Sequence, residues 1–368
     1  MKAYLRILVS LSIMIFSQGL MAQINKDLLE QRVKDIQEYK NAQNGIKAPS
    51  SGLMVDANKT AIELVEELLG EGFIMGDNVF NVQLIGAASS NGFFNGSASN
   101  IGMNNGVIFS SGNALSAEGP NSNGSTSGDL GNSGDPDLDM LPGIMGTHDA
   151  SGISFDFVPG SDTIRLQYVF ASEEYCQYVD SFNDVFAIFL TSNEDDGYNY
   201  SNTNMAVIPD TDLPVSINTL NHGSIGDQID PNICDYCEFY VDNQPDGNGA
   251  GSSVEYDGFT TLLSAKAVVS PNKEYQIKIV IADNMDGVLD SGIFLNANSF
   301  TSVSCYPYDL DCDGDVDILD ISAVAYCYGT SVGEEAYNPA YDMDSDGDID
   351  ILDVTAIAYE YGWNAQGI

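Results

Sequence analysis

Near its C-terminus the chain writes one acidic loop twice: Asp309-Leu-Asp-Cys-Asp-Gly-Asp-Val-Asp-Ile-Leu-Asp320, and then Asp342-Met-Asp-Ser-Asp-Gly-Asp-Ile-Asp-Ile-Leu-Asp353, 33 residues further on. The segments that follow also match, Ile321-Ser-Ala-Val-Ala-Tyr-Cys-Tyr-Gly329 against Val354-Thr-Ala-Ile-Ala-Tyr-Glu-Tyr-Gly362, apolar position for apolar position. So regular a repeat is two copies of one small unit.

The spacing has a physical reason. A hard divalent cation such as calcium takes about six to eight oxygen ligands, and a twelve-residue loop supplies them from positions 1, 3, 5, 7, 9 and 12. Here these are Asp309, Asp311, Asp313, Asp315, Asp317 and Asp320, then Asp342, Asp344, Asp346, Asp348, Asp350 and Asp353. Position 7 normally gives its backbone carbonyl, and position 9 often acts through water. Gly314 and Gly347 stand at position 6, where the chain turns too sharply for a Cβ. Val316 and Ile349, at position 8, are expected to point inward and pack the paired loops together. A merely solvated acidic tail would require neither the glycine nor the aliphatic residue. Two bound calcium ions are the expectation.

Position 12 is Asp rather than the bidentate Glu of an EF-hand, and Cys305-Tyr-Pro-Tyr308 and Tyr337-Asn-Pro-Ala-Tyr341 do not read as helices before the loops. A loop followed by a helix, twice, resembles a type I dockerin over about Tyr306 to Gly362. The resemblance implies docking onto a cohesin module of a polysaccharide-degrading assembly. Dockerins read their partner through loop positions 10 and 11, here Ile318, Leu319, Ile351 and Leu352, and through later helix positions often carrying Lys or Arg; this module has no basic residue. Residues 306–368 hold twelve Asp and three Glu, a net charge of −15 in 63 residues. So short a chain has little core, and its carboxylates repel one another. The module is expected to fold only with its metal.

The other end of the chain reads as an export signal. Lys2 and Arg6 precede an apolar run from Ile7 to Phe16 and the small-residue stretch Gly19-Leu-Met-Ala22, the pattern of a secretory signal peptide over 1–22. The run is too short to span a membrane, and no Cys stands at the cleavage position to take a lipid. Removing this leader leaves 10 basic against 54 acidic residues, a net of −44. Such a surface repels nucleic acid and anionic membranes. All six cysteines (Cys176, Cys234, Cys237, Cys305, Cys312, Cys327) follow the leader, and an even count in an exported chain favours disulfides. Cys234-Asp-Tyr-Cys237 has the spacing of a redox or zinc motif, but Asp235 and Glu238 disfavour a reactive thiolate, and a structural disulfide is the expectation.

Residues 23–57 read as a polar leader, and Asn58 to Leu69 as a helix capped by Asn58, with Ala61, Leu64, Val65 and Leu68 on its apolar face and Gly70 as its end. From Phe73 short β-rich runs alternate with loops of Gly, Asn, Ser and Asp. Expected strands are Ile153–Val158, Thr163–Phe170, Val185–Leu190, Met205–Ile208, Val215–Ile217, Phe259–Val269, Glu274–Ala282 and Ile293–Asn298. In Glu274–Ala282 the residues Tyr275, Ile277, Ile279 and Ile281 share one face, opposite Gln276, Lys278 and Val280, the mark of a strand with one buried side. The expected fold is mainly β: a large extracellular β-sandwich or jelly-roll over 58–302, followed at 303–368 by a small α module of two EF-hand-like loop–helix units.

The large domain also has a family look. Gly106-Val-Ile-Phe-Ser-Ser-Gly-Asn113, Gly134-Asp-Pro-Asp-Leu-Asp139, Asp149-Ala150 leading to Phe155-Asp-Phe157, Val169-Phe-Ala-Ser-Glu-Glu-Tyr175, Phe182-Asn-Asp-Val-Phe186, Ala206-Val-Ile-Pro209, Pro214-Val-Ser-Ile-Asn218 and Asp290-Ser-Gly-Ile-Phe-Leu295 occur in order. They resemble the choice-of-anchor L domain of bacterial surface and secreted proteins over about Leu68–Ser302. The resemblance implies an extracellular β domain with a variable C-terminal retention device and no assigned reaction.

Catalysis finds little support. A glycosidase needs two carboxylates facing each other about 5–10 Å apart. Glu173-Glu174 would point to opposite faces unless the strand has already ended. His148 and His222 are the only histidines and read as surface or loop residues; no Gly-x-Ser-x-Gly accompanies them. The acidic set Glu173, Glu174, Asp184, Asp283, Asp286 and Asp290 reads better as a further calcium site between loops, with turn capping as the bland alternative. Two function classes follow: a non-catalytic secreted adhesion or binding protein, attached or assembled through its calcium-loaded tail to a cohesin-like scaffold or other cell-surface protein, and a secreted polysaccharide hydrolase delivered by that tail. The absence of a recognisable catalytic set favours the first.

Overall fold

The computed structural model describes residues 52–121, 126, 128–144, 146–175, 178–179, 183–209, 211–221, 224–225, 228–229, 236–244, 253–285, 287–303, 306–310, 316–334, 337–339 and 341–363. The signal peptide, most of the polar leader, His222, Asp286, Asp311, Asp313, Gly314, Asp315 and four of the cysteines lie outside them. Cys237 is disulfide-bonded, and Cys234, the other cysteine of its Cys-x-x-Cys, lies outside the described residues. Cys327 is a free, buried thiol. Ala48–Ser304 forms one compact unit, and Cys305–Ile368 belongs to a second.

The larger unit runs β1 (Met54–Ala57), α1 (Ala61–Leu68), β2 (Val79–Ile85), β3 (Asn91–Asn95), β4 (Asn105–Ser110), β5 (Thr147–Phe157), β6 (Thr163–Ser172), β7 (Val185–Ser192), β8 (Thr203–Asn204), β9 (Ser224–Ile225), β10 (Gln228–Ile229), β11 (Tyr240–Asp242), β12 (Gly258–Thr260), β13 (Leu263–Val268), β14 (Tyr275–Asn284), β15 (Ser291–Asn296) and β16 (Thr301–Val303). Two antiparallel sheets carry it. One has the order β1-β3-β4-β15-β6-β12-β11, with β13 and β16 also on β6; the other is β2-β5-β14-β7-β8. Both sheets send side chains into one core: Val107, Phe109, Leu166, Phe170, Ile293 and Leu295 from the first, Phe155, Phe157, Ile188, Ile277 and Ile279 from the second. This is the face-to-face packing of a β-sandwich.

The alternation in β14 explains its central place. Tyr275, Ile277, Ile279 and Ile281 are fully buried in that core, and each isoleucine so placed stabilises by about 1.5–3 kcal/mol. Its other face is covered as well: Val280 and Ala282 pack with Leu138, Val185 and Phe189 in a separate apolar cluster. The strand is therefore buried on both sides at its C-terminal end, where one buried side was expected.

Several expectations change. The N-cap of α1 is Thr60, whose hydroxyl and Glu63 form a reciprocal capping box; Asn58 lies two residues earlier with a left-handed backbone, φ 63°. Phe259–Val269 breaks into β12 and β13, which pair separately with β6. Met205–Ile208 and Val215–Ile217 are not strands; they meet through a single bridge, Val207 to Pro214, although their apolar side chains are largely buried. The strand β1 begins inside the stretch expected to be leader and pairs with β3.

In the smaller unit a helix follows each acidic loop: α2 (Ile318–Tyr326) and α3 (Ile351–Tyr359). Asp317 and Asp350 cap them, each in a box completed by the Asp three residues on, Asp320 or Asp353. Val316 and Ile349 are fully buried, as their position in the loop demands, among Ile321, Val324, Cys327 and Ile357. Their backbones interlock the copies. Val316 N–H donates to Trp363 O at 2.8 Å and its carbonyl accepts from Gly362, while Ile349 exchanges the same pair of bonds with Thr330 and Gly329. The partners of one copy are the 33-residue equivalents of the partners of the other, so the unit has an internal twofold relation. Tyr306 stacks on Trp363 with ring centroids 4.0 Å apart and closes the core at one end.

Candidate functional site

In the second acidic loop Asp342, Asp344 and Asp353 each bring one carboxylate oxygen to within 4.8 Å of the others. The local chain makes this possible. Gly347 holds φ at +97°, in the region a side chain resists, and the Asp346 and Gly347 amides turn inward to Asp342 at 3.1 and 3.0 Å. Asp353, reaching back from α3, accepts from Met343 N–H at 2.6 Å and Asp344 N–H at 3.3 Å with one oxygen, and from Asp350 N–H at 2.7 Å with the other. Tyr337 donates its hydroxyl to Asp342 at 2.7 Å and holds that carboxyl below its usual range. Local desolvation and then neighbouring Asp346 push Asp344 up, although its side chain is exposed; crowding by Asp346 does the same to Asp348. The trio has the donor set of a hard divalent cation.

The other expected ligands divide. Asp350 caps α3 by accepting from Leu352 N–H at 2.6 Å, and Asp346 accepts from Asp348 N–H at 3.1 Å. In the first loop Asp320 repeats the part of Asp353, accepting from Leu310 N–H at 2.5 Å and Asp317 N–H at 2.7 Å. Asp309 is buried. Among the residues expected to meet a partner, Leu319, Ile351 and Leu352 are 44, 48 and 55 % exposed, while Ile318 packs against the core.

The larger unit gathers a second acidic group where the ends of its two sheets meet. Glu173 and Glu174 follow β6, which has ended at Ser172; Asp184 precedes β7, Asp283 lies near the end of β14 and Asp290 precedes β15. All five are 1 % exposed. Asp184 is well bonded, accepting from Asn284 N–H at 3.2 Å and the Ser291 hydroxyl at 2.7 Å, and its own amide donates to Glu174 at 3.3 Å. Asp290 accepts from Gly128 N–H at 2.9 Å through one oxygen. Its other oxygen, both of Glu173 and both of Asp283 are buried without any hydrogen-bond partner. The Thr126 amide and the Ser111 hydroxyl are close enough to favour the ionised forms of Glu173 and Asp283, yet neither completes a hydrogen bond with them. Burial, then the neighbouring acids, pushes Glu173 and Asp283 up to about 10 and Asp290 up to about 6. Asp184 is raised by burial and by Glu174.

Sequence reasoning placed five members of this group and missed three acids beside it. Asp149, on β5 with φ 49°, acts on Asp283 and Asp290; Glu255 and Asp257 act on Glu173. The alternation Val254-Glu-Tyr-Asp257, an acid at every second position just before β12, was the available signal. Asp286 lies outside the described residues.

A family model, the choice-of-anchor L domain, matches residues 54–301. The chain belongs to that family. Membership points to a protein of the cell surface or the extracellular space. No match emerged among curated proteins. Among solved structures, the K1 cleaved adhesin domain of Lys-gingipain from Porphyromonas gingivalis W83 is similar at 13 % identity over 60 % of this chain and 99 % of that one, with a TM-score of 0.20. Every member of the buried acidic group falls inside the choice-of-anchor L domain, and the duplicated loops fall outside it. His148 is exposed on β5, as a surface residue. No helix among the described residues is long and apolar enough to cross a membrane.

Proposed function

We propose that the chain is a secreted, non-catalytic adhesion or binding protein whose choice-of-anchor L domain is the binding body and whose duplicated acidic loops take up two calcium ions to form an attachment module. The convergence of Asp342, Asp344 and Asp353 around Gly347 is the observation that carries this reading. The internal twofold relation supports the attachment role. It repeats exposed apolar side chains in pairs, Leu319 with Leu352, Tyr326 with Tyr359 and Tyr328 with Tyr361, on a unit with no basic residue. Such pairs offer a partner surface that charge alone would not. A cohesin-like scaffold is the partner to test first, and other cell-surface proteins come next.

The hydrolase alternative weighs less. Glu173, Glu174, Asp184, Asp283 and Asp290 are all buried, so none stands open to a sugar ring as an acid–base pair requires. Calorimetric titration of the full chain with calcium tests the reading, followed by capture of scaffold proteins from the native organism in calcium and in chelator. Heat with two tail ions per chain and calcium-dependent capture are expected. No heat at millimolar calcium would overturn the reading. Incubation with polysaccharides is expected to give retention without release of reducing sugar.

A further inference from the structure

We propose that the choice-of-anchor L domain holds a divalent cation of its own, calcium above all, among Glu173, Asp283 and Asp290, where the ends of the two sheets meet. The inference is independent of the tail. It starts from five carboxylate oxygens buried without a hydrogen-bond partner on three side chains that are each 1 % exposed. A native interior almost never leaves such groups unpaired, and the cost is greatest for charged ones.

The three carboxylates share one end of the domain, although they do not close to within 4.8 Å of one another. Tyr256, whose hydroxyl lies 3.2 Å from the Ser110 hydroxyl, is acted on by Asp290, Glu173 and Asp283 together. Asp290 also lies near enough to act on Glu173, Asp184 and Asp283. The backbone is shaped for it: a Cβ on Gly112 would run into the Asp290 carboxylate. None of the ion pairs described reaches the three residues, and no lysine or arginine is among the groups that act most strongly on any of them.

Protonation alone does not resolve the arrangement. A neutral carboxyl still carries a donor and an acceptor, and those of Glu173 and Asp283 would remain unsatisfied. A hard cation satisfies several such oxygens at once, and a site made only of oxygen selects calcium or magnesium over softer metals. The carboxylates are spread more widely than the tail trio, since among the described residues only that trio closes to within 4.8 Å. An ion about 2.4 Å from each ligand needs oxygens within about 4.8 Å of one another. In this arrangement at most two of the three carboxylates therefore bind it directly and the third acts through water. Hydroxyls and carbonyls supply the rest, which suits calcium's flexible shell better than magnesium's strict octahedron. Glu173 follows a strand of one sheet and Asp283 ends a strand of the other, so the ion would pin the sheets together at this end.

The test uses the full secreted chain with both acidic loops disabled by Asp309→Asn, Asp320→Asn, Asp342→Asn and Asp353→Asn. Calcium bound at equilibrium is measured at physiological ionic strength, and the tyrosine near-ultraviolet circular dichroism is followed on heating. The domain is expected to retain at least one calcium per chain and to melt roughly 5–10 °C higher at about a hundred times Kd than in chelator. Adding Glu173→Gln and Asp283→Asn should abolish both effects. No saturable calcium in the loop-disabled chain, or binding that survives the added pair, would overturn the proposal. If the added pair does not fold, the calcium content and melting shift of the loop-disabled chain decide. Trp363, the only tryptophan, sits in the tail and reports that module separately in the parent chain, so failure of either site is read without the other.

Discussion

Asp353→Ala offers the sharpest probe of the tail. The side chain is buried and accepts three backbone hydrogen bonds, two from the loop and one from the start of α3. Each is worth about 1 kcal/mol net, and somewhat more to an ionised acceptor. The contact at 3.3 Å counts for less than those at 2.6 and 2.7 Å. A loss of about 3 kcal/mol follows, near the whole margin of about 3–5 kcal/mol that a core of this size supplies. The variant should therefore be mostly unfolded in its tail even in calcium. Asp353→Asn keeps one acceptor oxygen and should lose about half as much. Asp344→Asn makes the contrast: that side chain is exposed and accepts only from Asp346 N–H, at 3.2 Å, so it should weaken calcium binding with little effect on stability at saturating calcium. Urea unfolding followed by Trp363 fluorescence reads all three. A loss under 1 kcal/mol for Asp353→Ala would refute the view that this carboxylate ties loop to helix.

Ile279→Ala, in the middle of β14 and fully buried, should cost the large domain about 2–5 kcal/mol in chemical denaturation, whereas Ser264→Ala on the exposed face of β13 should change it by less than about 0.5 kcal/mol. Asp196 should give the domain an acid-sensitive contact. Burial alone would raise its pKa, but the Asn199 amide, the Ser192 hydroxyl and the Tyr198 amide bring it to about 2 from 3.8. The stabilisation is therefore present above pH 3.8 and lost as the pH falls towards 2, and an Asp196→Asn variant should show a flatter stability profile across that window. Gly112→Ala places a methyl group against Asp290 and should cost about 1–3 kcal/mol through overpacking, with a smaller calcium-dependent rise in melting temperature; an unchanged calcium response would show that Asp290 can move aside.

What the sequence disclosed follows from where a pattern is local. β14 was legible because Tyr275, Ile277, Ile279 and Ile281 alternate against one core. The helices of the tail were legible because each loop and its helix lie within some twenty consecutive residues; that Asp317 and Asp350, read as loop ligands, also cap the helices came from the structure. β3 was not among the expected strands: Asn91-Gly-Phe-Phe-Asn95 has no alternation, and its strand form depends on pairing with β1 on one side and β4 on the other. Met205–Ile208 failed in the opposite sense. Its apolar run is buried, yet no neighbour continues a ladder beyond Val207 and Pro214. Glu173 and Asp283 could be named as acidic neighbours, but their lack of partners is a property of packing and could only come from the structure.

The two acidic groups use carboxylates in opposite ways, and this is why calcium should act on them differently. In the tail, Asp342 and Asp353 are satisfied in part by backbone amides and a tyrosine hydroxyl, so the main opposing term is the repulsion of fifteen negative charges. That term is long-ranged and screened by salt, so added salt should partly replace calcium in holding the tail together. In the choice-of-anchor L domain the opposing term is desolvation of buried oxygens with nothing bonded to them. Salt cannot reach or screen these, and only an ion that enters the site can offset the cost. Salt dependence of the apo protein, read at Trp363 for the tail and at the tyrosines for the domain, should thus be strong in the first and weak in the second.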